Sequence, residues 1–177
     1  LELFEYVGQS EYDLSFDLKD EMADLIRILT PDVIESYGSQ ISECFTKLML
    51  TPFAANAWRI MFEICEPINA ANQPHTLMGC FIPETNKMRF LLRNLAYHQH
   101  PVCTHSLNAL DRTQKELDRL KKDYPELHQY LEPKHILALK WGVLFHDVGK
   151  IDPQSKHEVS GTAMAVKALE RIGYDDQ

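Results

Sequence analysis

Residues 135–147 read HILALKWGVLFHD, an apolar run that ends in an imidazole and a carboxylate. Within it, Lys140 is the one charged residue between Ile136 and Phe145. A helix that is apolar nearly all round belongs in the centre of a domain. The run is about half as long as the roughly 20 residues that a membrane span needs. We therefore predict a core helix over this segment, with Gly149 at its C-terminal stop.

Helical periodicity continues upstream of this run. One amphipathic helix is indicated by apolar residues at three- and four-residue spacing, namely Leu18, Met22, Leu25, Ile26 and Leu29. Thr30 and Pro31 suit the N-cap and first position of the next helix, and a further helix is predicted over 53–65. Residues 66–88 are rich in turn-forming residues and are predicted to be a loop-rich connection.

The rest of the chain is also predicted to be helical. An amphipathic helix is marked by Leu107, Leu110, Leu117 and Leu120. A last helix is predicted from about 157 to 172, with Gly161 allowing close approach to a neighbour and Gly173 ending it. No alternating strand pattern competes anywhere, so the predicted fold class is all-α.

Composition bounds the functions that the chain can have. Its 177 residues carry a net charge of −8, and the sequence pI is about 5.4. This net charge excludes a protein whose whole surface attracts nucleic acid, but it is compatible with a local basic patch that does so. The four cysteines form no CxxC pair, which favours reduced thiols, and the acidic N-terminal residues do not form a signal peptide. We expect a cytoplasmic protein that does not enter the membrane. Because the chain starts at Leu1 and stops just after a helix-like segment, we expect a piece of a longer protein.

The pair His146-Asp147 indicates chemistry at the end of the buried helix. Placing an imidazole and a carboxylate there costs several kcal/mol unless each group is paired or binds a metal. His105, at the start of an earlier helix, is the natural third ligand. Mixed nitrogen and oxygen ligands suit Zn, Ni, Fe, Co or Mn, and a site with open positions can activate water at neutral pH. The alternative is a structural hydrogen bond between His146 and Asp147.

Three motifs in this sequence resemble the HD-domain metal-dependent phosphohydrolases. They are His105 within PVCTHSL, the HDVGK segment at 146–150, and His157 followed four residues later by Gly161. The resemblance implies that His105, His146 and Asp147 bind a divalent metal ion, with Ni, Mg, Mn, Co and Zn all open. It also implies catalytic roles for Asp147, Lys150 and His157. Lys150 is expected to contact either a substrate phosphate or the carboxylate of Asp147, and His98 and His100 are expected to contact the substrate. Exposed residues of these types are often simply solvated.

The region before these motifs resembles a second group of proteins. Residues 1–92 look like the helical neck and body of bacterial tRNA nucleotidyltransferases and poly(A) polymerases, several of which carry a C-terminal HD domain. We accordingly predict an RNA-binding-like region over 1–92 and an HD domain over 93–177. The segment from Ile82 to His105 is also similar to the HD region of bifunctional uridylyltransferase/uridylyl-removing enzymes. The polymerase head is missing, and the distal metal-binding Asp of the HD family is expected beyond Gln177.

These resemblances leave three functions open. The first is a phosphatase or 2′,3′-cyclic phosphodiesterase that acts on a phosphate-containing nucleotide or an RNA 3′ end, with tRNA as a candidate partner. The second is a helical scaffold that holds RNA for a polymerase head outside this sequence. The third is a uridylyl-removing or nucleotide hydrolase. Basic residues could contact RNA in the first two, but those on the helix around 112–122 alternate with acidic ones, as on a solvated helix face.

Overall fold

The computed structural model describes residues 1–66, 75–91, 100–154 and 156–174. These residues form helices joined by short connections, and they contain no strand. Their extended pairing is limited to an isolated antiparallel bridge between Cys65 and Thr76. The predicted all-α class is therefore confirmed. No helix in these ranges is both long enough and apolar enough to cross a membrane.

Residues 1–66 form five α-helices. They are α1 (Glu2–Gly8), α2 (Phe16–Ala23), α3 (Pro31–Ser36), α4 (Gly38–Leu50) and α5 (Ala54–Glu63), with a 3₁₀ turn at Asp24–Ile28 after α2. The predicted cap at Thr30 is confirmed, because its hydroxyl accepts a hydrogen bond from the amide of Val33 and Pro31 is the first helical residue.

The stretch predicted as a loop-rich connection contains two short helices. These are α6 (Leu77–Phe81) and α7 (Glu84–Phe90), so the loop prediction for 66–88 is wrong over most of the described part. The Thr76 hydroxyl caps α6 by accepting from the amide of Gly79. Gly79 itself packs against the side chain of Asn86 so closely that no Cβ would fit. Here glycine allows helix packing instead of marking a turn.

The second half contains the long helix α8 (Val102–Asp123), then α9 (Pro125–His128), α10 (Pro133–Phe145), a 3₁₀ turn at Val148–Ile151, and α11 (His157–Arg171). Gly173 follows α11 with φ of +89°, as predicted for its stop. The side chains of Glu132 and His135 cap α10 reciprocally, since each accepts a hydrogen bond from the other residue's backbone amide.

An aromatic cluster joins the two halves of the sequence in one core. Phe45 of α4 stacks on Trp58 of α5, with ring centroids 5.0 Å apart. Trp141 of α10 packs edge-on against both, at 6.2 Å from Phe45 and 5.9 Å from Trp58. The core is therefore continuous from α4 and α5 to α10. The proposed division between 1–92 and 93–177 stays a prediction.

Only the C-terminal half of α10 is buried on most sides, which corrects the prediction of a fully buried helix. Trp141, Leu144 and Phe145 are buried, whereas Ala138 and Leu139 are exposed. Lys140 is the unexpected member of the buried group. Its ammonium donates a hydrogen bond to the carbonyl oxygen of Thr51 at 2.9 Å. The apolar run thus fixes the end of α10 that carries the candidate site.

Candidate metal centre

Three side chains that the sequence singled out come together at the end of α10. His105 projects from the first turns of α8, and His146 and Asp147 directly follow the last residue of α10. One ligand atom from each residue lies within 4.8 Å of the other two. The Oδ2 atom of Asp147 is 3.5 Å from Nε2 of His146 and 3.7 Å from Nε2 of His105. The two imidazole rings are 5.1 Å apart between centroids.

These separations suit a shared divalent cation. Metal–ligand bonds of about 2.0–2.2 Å place two ligand atoms of one ion roughly 3.0–3.6 Å apart. Both pairs that involve Asp147 lie at or just beyond that range. Two imidazole nitrogens and one carboxylate oxygen form a ligand set that first-row transition metals accept, and it leaves coordination positions for other groups. The donor set therefore fits the metal that the resemblance implies.

The backbone of α10 orients one of the imidazoles. Nδ1 of His146 lies 2.6 Å from the carbonyl oxygen of Val143, one helical turn earlier. A carbonyl can only accept, so Nδ1 carries the proton and donates it. The lone pair of neutral His146 is then on Nε2, the atom that faces Asp147. Such a hydrogen bond fixes both the tautomer and the ring orientation that metal binding requires.

Lys150 makes the shortest contact to the central carboxylate. Its ammonium nitrogen lies 2.6 Å from Oδ2 of Asp147. Burial raises the pKa of the Asp147 carboxyl, but the bond to Lys150 and the nearby His146 and His105 outweigh it, so the pKa lies below its ordinary value. Asp147 is therefore ionised at neutral pH. Of the two roles that the sequence left open for Lys150, the structure shows contact with the carboxylate.

The three candidate ligands differ in exposure. The side chain of Asp147 is 10% exposed, whereas those of His105 and His146 are 44% and 36% exposed. The expected cost of burying His146 therefore does not arise, since its ring reaches solvent. The carboxylate forms the floor of the site and the imidazoles form its open side.

Gly149 positions the 3₁₀ turn that follows Asp147, and it does not terminate α10 as predicted. α10 ends at Phe145, and Gly149 lies inside the turn Val148–Ile151. A Cβ at Gly149 would overlap the carbonyl oxygen of His157 and approach the backbone nitrogen of Gly161, both in α11. The hydroxyl of Ser160 also lies 3.4 Å from the Gly149 carbonyl oxygen, to which it donates. The glycine pair thus allows the turn to pack against α11, and Gly161 has the close-packing role predicted for it.

The remaining predicted residues lie outside this cluster. His157 is the first residue of α11, and its Nε2 atom lies 3.3 Å from a carboxylate oxygen of Glu158. It does not belong to the group of ligand atoms described above. His100 is exposed just before α8. His98 lies outside the described residues.

Two further contacts of this region were not predictable from the sequence motifs. One is the Val143 carbonyl, which no side-chain motif could reveal, although its position three residues before His146 is a common helical spacing. The other is the Arg171–Glu84 pair, a bidentate ion pair at 3.0 and 3.1 Å that links α11 to α7. On the basic face of α8, Arg119 forms ion pairs with Glu116 and Asp123 of the same helix. This agrees with the solvated-face interpretation.

Two curated enzymes are similar to most of this chain. It is 26% identical over 153 residues to the bifunctional uridylyltransferase/uridylyl-removing enzyme of Rhodopseudomonas palustris. It is 28% identical over 149 residues to the enzyme of the same name from Corynebacterium glutamicum. Each alignment covers 81% of this chain, but only 16% and 19% of the two relatives, so the chain spans less than a fifth of their length. No family model matches the chain, and no solved structure matches it significantly.

Proposed function

We propose that the chain carries a metal-dependent phosphohydrolase site of the uridylyl-removing kind, formed by His105, His146 and Asp147. The observation that carries the proposal is the convergence of one carboxylate and two imidazoles within 4.8 Å. The similarity to two enzymes whose names include a uridylyl-removing activity gives the reaction class. The substrate would then be a phosphodiester that joins a uridylyl group to a protein.

The side chains of the site have different roles in the proposed hydrolysis. His146, held by Val143, and His105 offer neutral nitrogen ligands, and Asp147 offers the anionic one. A bound divalent ion supplies Lewis-acid polarisation of the phosphate and a water of lowered pKa. Lys150 is near enough to neutralise negative charge on a phosphoryl group that approaches Asp147. We propose that His157 and His100 orient the rest of the substrate.

An RNA-directed role remains a second form of the same proposal. The resemblance of residues 1–92 to the body of tRNA nucleotidyltransferases suggests a phosphate-containing nucleotide or an RNA 3′ end as substrate, with tRNA as partner. The same three ligands would serve this reaction, because the bond broken is again a phosphoester. We place this role second because both curated relatives carry the uridylyl-removing name.

Metal binding is the first test of the proposal. We expect Mn²⁺, Co²⁺, Ni²⁺ or Zn²⁺ to bind one site per chain by calorimetry, and we expect His105→Ala, His146→Ala and Asp147→Asn each to weaken it at least tenfold. His128→Ala, on the short helix α9, is the matched control and should bind as the unchanged protein does. Equal binding by all four variants would refute the proposed ligands.

Activity then identifies the substrate class. The metal-loaded protein is assayed with a uridylylated protein, a 2′,3′-cyclic nucleotide and a generic phosphodiester, each with the His146→Ala variant alongside. Preferential release of UMP from the protein supports the first form of the proposal. Preferential hydrolysis of the cyclic nucleotide supports the RNA-directed form. Absence of any His146-dependent hydrolysis in a metal-loaded chain would contradict both.

A further inference from the structure

A cavity is lined in part by the start of α8, the helix that carries the candidate ligand His105. It encloses about 210 Å³ between α5, α7 and α8, and its lining includes Arg59, Glu63, Arg89, Cys103 and Thr104. Thr104 immediately precedes the candidate ligand His105 on α8. The cavity and the metal centre therefore both use side chains from the start of α8.

Arg89 contributes a positive charge to the lining of this cavity. Its Nη1 atom donates a hydrogen bond to the sulfur of Cys65 at 3.2 Å, and its guanidinium lies 5.6 Å from the centre of the Phe90 ring. Both partners are neutral groups. Within the part of the chain that the structure describes, no carboxylate forms an ion pair with Arg89. A guanidinium retains most of its hydrogen-bonding capacity in such surroundings.

The other charged groups of the cavity are already paired. Arg59 donates hydrogen bonds to Asp111 and Asn108 of α8. Glu63 accepts a hydrogen bond from the ammonium of Lys19 at 2.6 Å. Because that ammonium also pairs with Asp13, it compensates the negative charge of Glu63 only in part. Burial raises the pKa of the Cys103 thiol well above its ordinary value, so the thiol is uncharged at neutral pH. Among the charged side chains of the lining, Arg89 is therefore the one without an oppositely charged partner in the described part of the chain.

We propose that this cavity is an anion site in which Arg89 binds a phosphate group. A guanidinium presents several N–H donors in a planar arrangement that matches two oxygens of a phosphate. The hydroxyl of Thr104 is a further donor on the lining. The positive end of the 22-residue helix α8 favours an anion at the same place.

In the proposed function, the anion site would bind the substrate at a second point besides the metal ion. Thr104, on the lining of the cavity, directly precedes the candidate ligand His105 in α8. The link to the reaction rests on the proposed function, but binding of the anion does not. The phosphate would come either from a nucleoside monophosphate or from free orthophosphate, and both carry the same dianionic oxygens.

The test uses the metal-free protein, titrated separately with inorganic phosphate and with uridine 5′-monophosphate, and followed by calorimetry and by amide NMR shifts. We expect both ligands to bind and to shift the amides of Cys103 and Thr104. Arg89→Gln should weaken binding at least about tenfold, as expected when a charged donor is removed. Lys87→Gln, on the exposed side of the same helix, is the control and should leave binding unchanged. Tighter binding of the nucleotide identifies it as the source, and equal binding identifies orthophosphate.

Three results would overturn the proposal: no saturable binding, equal losses in the two variants, or shifts that avoid the start of α8. If Arg89→Gln lowers the unfolding temperature, Arg89→Lys decides, because it retains the charge and must then retain more phosphate binding than Arg89→Gln. The His146→Ala protein separates this proposal from the metal site. It should bind phosphate normally even if the chain proves to have no hydrolase activity.

Discussion

The ammonium of Lys140 lies 2.9 Å from the carbonyl oxygen of Thr51, and this hydrogen bond joins α10 to the turn between α4 and α5. The lysine side chain is almost completely buried, with 1% of its surface exposed. Burial lowers the pKa of Lys140 to about 8, opposed in part by the carboxylate of Asp118. The folded protein thus buries the amine of Lys140, which stabilises one backbone contact but is costly to keep charged away from water.

The stability of the protein should rise with pH through the titration of Lys140. Between about pH 8 and 10.5 the unfolded chain keeps this proton and the folded chain has lost it, so the free energy of unfolding increases, by up to about 3 kcal/mol. Lys140→Met removes the titrating group. Between pH 7 and pH 10, the free energy of unfolding of the original protein should therefore rise relative to that of the Lys140→Met variant, and urea unfolding at the two pH values measures this change. The control is Lys134→Met, at the exposed start of α10, whose free energy of unfolding should keep a constant difference from that of the original protein. The prediction would be contradicted if Lys140→Met also kept a constant difference.

Gly149→Ala should destabilise the fold by about 2 to 4 kcal/mol, because the added methyl group would overlap the backbone of α11 and push the 3₁₀ turn away from it. The control is Gly142→Ala inside α10, where a Cβ meets no atom within 4 Å. That change should raise stability by roughly 0.5–1 kcal/mol, since alanine favours the helix. Chemical unfolding measures both, and similar effects of the two substitutions would show that the close approach is unimportant.

The pair Glu84–Arg171 should contribute more to stability than an ion pair in full solvent. Its two parallel hydrogen bonds are partly buried, so a double-mutant cycle with Glu84→Gln and Arg171→Gln should give a coupling of about 1 to 2 kcal/mol. The exposed pair Glu43–Lys47 on α4 serves for comparison and should show a smaller coupling, because solvent screens it. Equal coupling in the two cycles would mean that the bidentate geometry adds nothing.

Lys150→Met should bind metal more tightly but hydrolyse phosphoesters more slowly. The ammonium occupies Oδ2 of Asp147 and repels an incoming cation by about 1–2 kcal/mol, so its removal should tighten metal binding roughly tenfold. Loss of the charge facing the substrate should lower kcat/KM. Competition titration and a rate assay measure the two effects, and Lys150→Arg should restore the original metal affinity. Weaker metal binding by Lys150→Met would assign the lysine to holding Asp147 in place.

Local patterns were sufficient for the fold class and for several helix boundaries. Thr30-Pro31 and Gly173 act through the backbone of their own neighbourhood, so the sequence around them contains the required information. The helices α6 and α7 were missed because each is too short to show a complete apolar stripe. They are held by contacts with distant residues, including the Glu84–Arg171 pair.

Which side of a helix is covered was not predictable from composition. The apolar run at 135–147 indicated burial throughout, but neighbouring helices cover only its second half, and Leu139 is left exposed. In the candidate site, His146 and Asp147 stood out locally. His105 was added through its resemblance to a known motif, because the packing of α8 beside the end of α10 depends on the whole fold. The hydrogen bond from Lys150 to Asp147 was one of two local alternatives, and only coordinates could choose between them.

The unequal exposure of the three candidate ligands has a kinetic consequence. Water could still reach an ion bound to the buried carboxylate of Asp147, because the side chains of His105 and His146 are partly exposed to solvent. It should therefore exchange quickly with the surrounding medium, unlike the closed tetrahedral sites that serve a purely structural purpose. The identity of the metal in the purified protein would then depend on the ions in the final purification buffer. A chelator should remove the metal within the mixing time and leave the helices folded.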